Sequence, residues 1–275
     1  MHNGNIIIEE LDFYPLNRKG NVRIYIPENV DINDLTIRYP VIYMHDAQNL
    51  FSEETSAFGM SWNVHKGLDD LVKKNAIKKT VVVGIDNAGS MKGRLDEYSP
   101  WVNDSLSKYK DSLGVNSAGG LGGDYEQFII EHLVPYIEDK YPVANNKGER
   151  AVGGSSMGGL ISLYIGLKNQ DIFSKILSMS TAVWFAEKET LDFIGKIDPA
   201  KETKIYLDVG DEETSCASLK EFPQIYIDGQ KNIYKTLIKT GFKKKNVKAI
   251  YDKNAAHNEI MWAKRFPKAI SWLFG

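Results

Sequence analysis

The stretch Gly154-Ser155-Ser156-Met157-Gly158 fits G-x-S-x-G, a spacing that sets a serine at the tip of a sharp strand-to-helix turn. A hydroxyl thrust out of so tight a corner needs tiny neighbours two residues away on each side, and glycine removes the Cβ that would clash. Ser156 would stand at a helix N-terminus, where free N–H groups and the helix dipole favour a developing negative charge. That is the equipment for nucleophilic attack on an acyl carbon. Glycine-serine runs also serve as plain loop, and the glycine-rich stretch Gly153 to Gly159 raises a phosphate loop as a rival. The rival lacks the Gly-Lys-Ser/Thr ending and any nearby lysine. A short strand before the corner and a helix through Ile161–Leu167 after it are the context a nucleophile requires.

A serine nucleophile needs a general base, and the base needs an orienting carboxylate. Of the five histidines, His2, His45, His65, His132 and His257, only His257 follows Ser156. In enzymes built around such an elbow the order along the chain is nucleophile, acid, histidine. His257 lies in the polar segment Asn254-Ala255-Ala256-His257-Asn258, between the last strand and the last helix. The acid belongs after the strand Lys204–Val209, where the sequence reads Gly210-Asp211-Glu212-Glu213, with Asp208 still inside the strand. Glu213 is the first choice, because the acid commonly stands three residues after such a glycine; Asp211 is second and Asp208 third. The oxyanion hole should combine the N–H of Met157 with one from His45-Asp46-Ala47-Gln48, with Ala47 preferred and Gln48 next. His45 and Asp46 have no partner histidine or carboxylate at a metal-site spacing, so they read as shaping that loop. No metal or organic cofactor is expected.

The elements that must position these groups follow from hydrophobic patterning. Ile6–Phe13 and Val22–Ile26 read as an antiparallel pair at one edge. Pro40–Met44 and Thr80–Ile85 are continuous apolar runs, the signature of strands buried on both faces. A helix is expected from about Trp62 to Asn75, with Val64, Leu68, Leu71 and Val72 inward. From Ser90 to Gly123 the pattern dissolves into a loop, read as a lid or pocket wall over residues 90–123. Asp124–Tyr141 reads as a helix, then come the elbow strand and its helix. Lys175–Ser180, Lys204–Val209 and Val247–Tyr251 supply three more strands, with helices around Glu187–Ile194 and Leu219–Lys239. A final helix begins near Asn258, with Pro267 as a candidate break. There is no internal repeat and no linker. Strands alternating with helices after the first pair predict a single α/β domain over residues 1–275, with a mostly parallel sheet of about eight strands flanked by helices.

The chain has 275 residues, enough for a large core. Its hydrophobic content of 43% and charged content of 25% are those of a globular protein, and a net charge of −2 gives no reason to expect nucleic acid or an anionic membrane as partner. The lone Cys216 rules out an internal disulfide. Met1-His2-Asn3-Gly4-Asn5 shows no signal-peptide pattern and no apolar run reaches membrane-spanning length, so a cytoplasmic protein is the default.

The chain resembles the esterase family of α/β-hydrolases that includes esterase D-like enzymes, enterochelin-type esterases and carbohydrate esterases of the feruloyl and acetyl-xylan type. The marks are Tyr43–Phe51, Val83–Asn87, Arg94–Pro100, Gly153–Gly159, Tyr206–Gly210 and Ala256–Glu259. The resemblance implies an α/β-hydrolase fold and serine ester hydrolysis through Ser156, His257 and an acid at Glu213. Ala47 stands where relatives often have glycine, a change that leaves the backbone N–H in place. The family also contains mycolyl transferases, so acyl transfer is the first alternative to hydrolysis. A non-catalytic binding module on the same fold is the second. The expected substrate is a small-molecule or carbohydrate-linked ester, with Trp101, Trp184 and Tyr98 as candidate pocket walls.

Overall fold

The computed structural model describes residues 4–57 and 59–275. Met1, His2 and Asn3, part of the segment read for a signal peptide, lie outside the described residues. Strands β1 (Asn5–Phe13) and β2 (Arg18–Ile26) pair antiparallel along their whole length, so the second strand starts earlier than Val22. Next come β3 (Val41–His45), α1 (Val64–Lys73), β4 (Val81–Ile85), α2 (Met91–Glu97) and the single turn α3 (Lys110–Leu113). Helix α4 (Gly122–Gln127) runs through a π-helical segment, Phe128–Leu133, into α5 (Val134–Lys140). The remainder alternates: β5 (Arg150–Ser155), α6 (Met157–Lys168), β6 (Lys175–Met179), α7 (Glu187–Ile194), β7 (Lys204–Glu212), α8 (Phe222–Thr240), β8 (Val247–Ala256) and α9 (Glu259–Phe274).

The eight strands form one sheet in the order β1-β2-β4-β3-β5-β6-β7-β8; β1, β2 and β4 pair antiparallel and every other pair is parallel. This is the α/β-hydrolase fold. The central strands β3 and β4 are buried at every residue, which is why they read as nearly unbroken apolar runs, whereas β8 at the sheet edge alternates between covered and exposed positions. In β3, Val41 and Tyr43 enter one core with Leu160, Ile161 and Ile165 of α6. Ile42 and Met44 enter the opposite core with Leu68 of α1 and Phe266, Ile270 and Leu273 of α9. Helix α6 is apolar nearly all round because it is buried nearly all round.

Two expectations are corrected. Residues 90–123 are not a structureless loop. Ser90 caps α2 by accepting from the Gly93 N–H at 3.1 Å, and Leu106–Tyr109 forms a 3₁₀ turn ahead of α3. Leu95, Tyr98, Leu106 and Tyr109 are all buried. These helices are too short to show a 3.6-residue period and are held by a cap and by core contacts instead. Pro267, for its part, does not break α9, which continues to Phe274 with Phe266, Ala269, Ile270 and Leu273 packed in the core. Tertiary burial there outweighs the lost backbone hydrogen bond.

Candidate active site

The parallel strands deliver their C-terminal ends to one edge of the sheet, where doubly wound folds place their ligands. Met44 of β3 lies opposite Gly153 of β5, Ser155 opposite Met179 of β6, and Met179 opposite Asp208 of β7. This register brings the segment after β3, the serine corner and the ends of β7 and β8 together around a cavity of about 490 Å³.

Ser156 joins β5 to α6 with φ 56° and ψ −122°, a conformation that costs a non-glycine residue of order 1–3 kcal/mol. A Cβ on Gly154 would stand 2.9 Å from the Gly158 carbonyl carbon, so only glycine lets the chain double back here. The Ser156 N–H donates to Met179 and its carbonyl accepts from Ala182, so β6 clamps the corner. Ser156 is 8% exposed and lines the cavity with Met157.

His257 follows the last residue of β8 and also lines the cavity. Its Nδ1 lies 2.6 Å from Oε2 of the wholly buried Glu213. A bulge where Gly210 and Glu212 pair with β8 swings Glu213 beneath the histidine. Gly210 is required because a Cβ would collide with the Ala255 carbonyl. Burial alone would raise the Glu213 carboxyl. The bond to His257 and its charge, with donors from Ser180 and the Gly210 N–H, overcome burial and hold it down at about 2. The other two carboxylates do not reach His257. Asp211 accepts from the Asn254 N–H at 2.6 Å, and Asp208 faces Arg265 across 3.5 Å.

After β3 the chain turns through Asp46 in the left-handed region, φ 57° and ψ 48°, into the 3₁₀ turn Ala47–Asn49. Asp46 takes two bonds from Arg94 of α2, at 2.7 and 2.8 Å, and one from Asn87 at 2.6 Å. Burial opposes ionisation of Asp46, but the guanidinium outweighs it and keeps the carboxyl below its ordinary range. Ala47 is wholly buried, its methyl set against Gly84, whereas Gln48 reaches the cavity. His45 bonds Tyr125 through Nδ1 at 2.9 Å, and burial pushes its pKa down to about 3, so it is neutral. Among the described residues no group of three or more His, Cys, Asp or Glu is placed to hold a metal ion.

A family profile described as "Putative esterase" matches residues 15–273. The chain belongs to this esterase family. Among curated relatives, protein YbbA of Bacillus subtilis (strain 168) is 26% identical over 261 residues, covering 94% of each chain. The ferri-bacillibactin esterase BesA of the same organism is 29% identical over 165 residues, 57% of this chain and 53% of BesA. Among solved structures, a ferulic acid esterase superposes with a TM-score of 0.74 at 17% identity over 98% of both chains. The chain is therefore a carboxylic ester hydrolase by family, on the fold those structures share.

Of the expected pocket walls of this esterase, only Trp184 lines the cavity. Tyr98 is fully buried beneath Arg94, its hydroxyl accepting from the Asp46 N–H at 3.0 Å. Trp101 packs edge-on against Tyr164 and Phe193, away from the cavity. The walls that the sequence reading missed include Trp62, Trp262, Met60, Met91 and Leu113. Glu259 was missed too. Its Oε1 accepts from Asn49 at 3.0 Å, tying the turn after β3 to the start of α9 beside His257. Arg94, Asn49 and Glu259 all fall inside motifs of the family resemblance, so a signal existed, but polar residues in a motif do not disclose their partners. Among the described residues no helix is long and apolar enough to cross a membrane.

Proposed function

We propose that the esterase works through a Ser156–His257–Glu213 triad and an acyl-enzyme. His257 takes the Ser156 hydroxyl proton as Oγ attacks the acyl carbon, and Glu213 stabilises the imidazolium that forms. The Met157 N–H and the N–H of Gln48 or Ala47 hold the oxyanion; the placement of Gln48 on the cavity favours it over Ala47. The histidine then returns its proton to the leaving alcohol, and water activated by the same ring releases the acid. The 2.6 Å contact between Glu213 and His257, beside a strained serine in the same cavity, carries this reading.

The substrate is a small-molecule or carbohydrate-linked ester. Trp62, Trp184, Trp262, Met60, Met91 and Leu113 suit an apolar or aromatic acyl group, in keeping with the ferulic acid esterase on the same fold. Residues 90–123 form one wall of the pocket through Met91, Arg94 and Leu113. Turnover of a panel of p-nitrophenyl and hydroxycinnamoyl esters, with and without an added alcohol, tests this. Free acid as the product under both conditions supports hydrolysis, and ester formation with the alcohol would assign acyl transfer instead.

A further inference from the structure

Behind the Glu213 carboxylate lies a set of buried polar groups that the proposed chemistry does not itself use. Trp262 and Arg265 stand three residues apart on α9 and so share a face. Both donate to one atom, Ser180 Oγ, at 2.8 Å from Trp262 Nε1 and 2.9 Å from Arg265 Nη2. Ser180 follows β6 in the left-handed region, φ 45°, with its N–H on the Asp208 carbonyl at 2.9 Å. Ser180 Oγ in turn contacts Glu213 Oε1, which also accepts from the Gly210 N–H at 2.9 Å and lies 3.5 Å from Arg265 Nη2. Ser180, Arg265 and Glu213 are all buried.

The direction of every bond in this chain is forced. Indole and guanidinium groups can only donate, so Trp262 and Arg265 occupy both lone pairs of Ser180 Oγ, and its single proton must go to Glu213. Oε1 is then surrounded by donors and has no room for a proton of its own. Oε2 is left as the acceptor facing His257 Nδ1. We infer that Ser180, Trp262 and Arg265 are positioning residues that fix the tautomer of His257, holding the proton on Nδ1 and leaving Nε2 as the free base toward Ser156. The low pKa of Glu213, in spite of burial, agrees with this direction. Asp208 shares the guanidinium from the other side, 3.5 Å from Nη1, so the single cation serves two carboxylates. A network that merely anchored α9 to the sheet would not need its two donors to meet on the one hydroxyl whose proton goes to the carboxylate oxygen opposite the histidine.

The inference rests on the proposed role of His257, yet it can be read without turnover. Nitrogen-15 NMR of the histidine-labelled protein, with the imidazole neutral, should show the Nδ1–H form alone for His257. Ser180→Ala and Arg265→Met should populate the Nε2–H form and lower kcat roughly 10- to 100-fold, the loss expected for hydrogen bonds to a charged group, with KM within about twofold. Arg265→Lys should recover part of the loss, and Trp262→Phe, which keeps an aromatic ring where the indole meets His257 edge-on at 4.9 Å, should give the mildest effect. An Nε2–H tautomer in the unmodified protein would overturn the inference even if no variant folds. So would Ser180→Ala and Arg265→Met proteins that keep the pure Nδ1–H form and lose only thermal stability. If Ser156→Ala proves as active as the parent, the proposed triad fails while the tautomer reading still stands or falls by the spectrum.

Discussion

Asp208 and Glu213, five positions apart on one strand and its bulge, are driven in opposite directions by the same burial. Glu213 is wrapped in donors and held at about 2, so its ionised form adds stability above its ordinary value of 4.5, and that contribution is lost as the pH falls toward 2. Asp208 has one oxygen without a partner, and desolvation pushes it up to about 7, against the pull of Arg265. Its neutral form is the one that favours folding, an advantage lost as the pH rises through 7. Asp208→Asn should therefore be increasingly more stable than the parent from about pH 4 to 7, with the gap level above that, as followed by thermal denaturation. A gap independent of pH would contradict the assignment. For catalysis the contrast is with Asp211: Glu213→Gln should lower kcat by roughly 10³–10⁴, the scale of losing a triad carboxylate, while Asp211→Asn should change it less than about twofold. Spacing from Gly210 ranked Glu213 ahead of Asp211 and Asp208, and the contact with His257 falls on Glu213, but the sequence could not separate the three firmly because the placement depends on a bulge that no local pattern announces.

At the scale of elements, the turn after β3 is held by a helix that sequence patterning did not reveal. Arg94 of α2 forks onto Asp46, both of them largely buried, and Asp46 opens the 3₁₀ turn that carries Ala47 and Gln48. Arg94→Ala leaves a buried carboxylate unpaired and should cost about 3 kcal/mol in denaturant unfolding. Arg94→Lys should recover little of it, since an ammonium cannot reproduce the bidentate fork. A loss under about 0.5 kcal/mol would show that the pair is solvated and immaterial. Helix α2 escaped the sequence because seven residues make barely two turns and its signal is a serine cap. Helix α6 and the strands β3 and β4 were legible because burial on all sides leaves an apolar run, and β5 was legible through the glycine-serine corner that follows it. Gly154→Ala, which drives a Cβ into Gly158, should cost both stability and turnover, separating a geometric elbow from a glycine-rich loop.

The whole molecule turns a strand order into a site. Stepping out from β3 to β4 and returning across β3 to β5 puts the turn after β3 beside Ser156, and continuing through β6 to β8 brings Glu213 and His257 to the same edge. The order of Ser156, Glu213 and His257 along the chain, with the strands around them, was readable because each sits where a buried strand gives way to polar sequence. The pocket was not. Tyr98 and Trp101 are aromatic residues in the right segment, yet one supports Asp46 and the other packs on Tyr164, a distinction made by packing across the sheet rather than by spacing. The most direct check is labelling with a fluorophosphonate, mapped by peptide mass and set beside turnover of a short p-nitrophenyl ester. The expected result is a single adduct on Ser156, with label and turnover both lost in Ser156→Ala. An adduct elsewhere, or turnover that survives in Ser156→Ala, would contradict the triad.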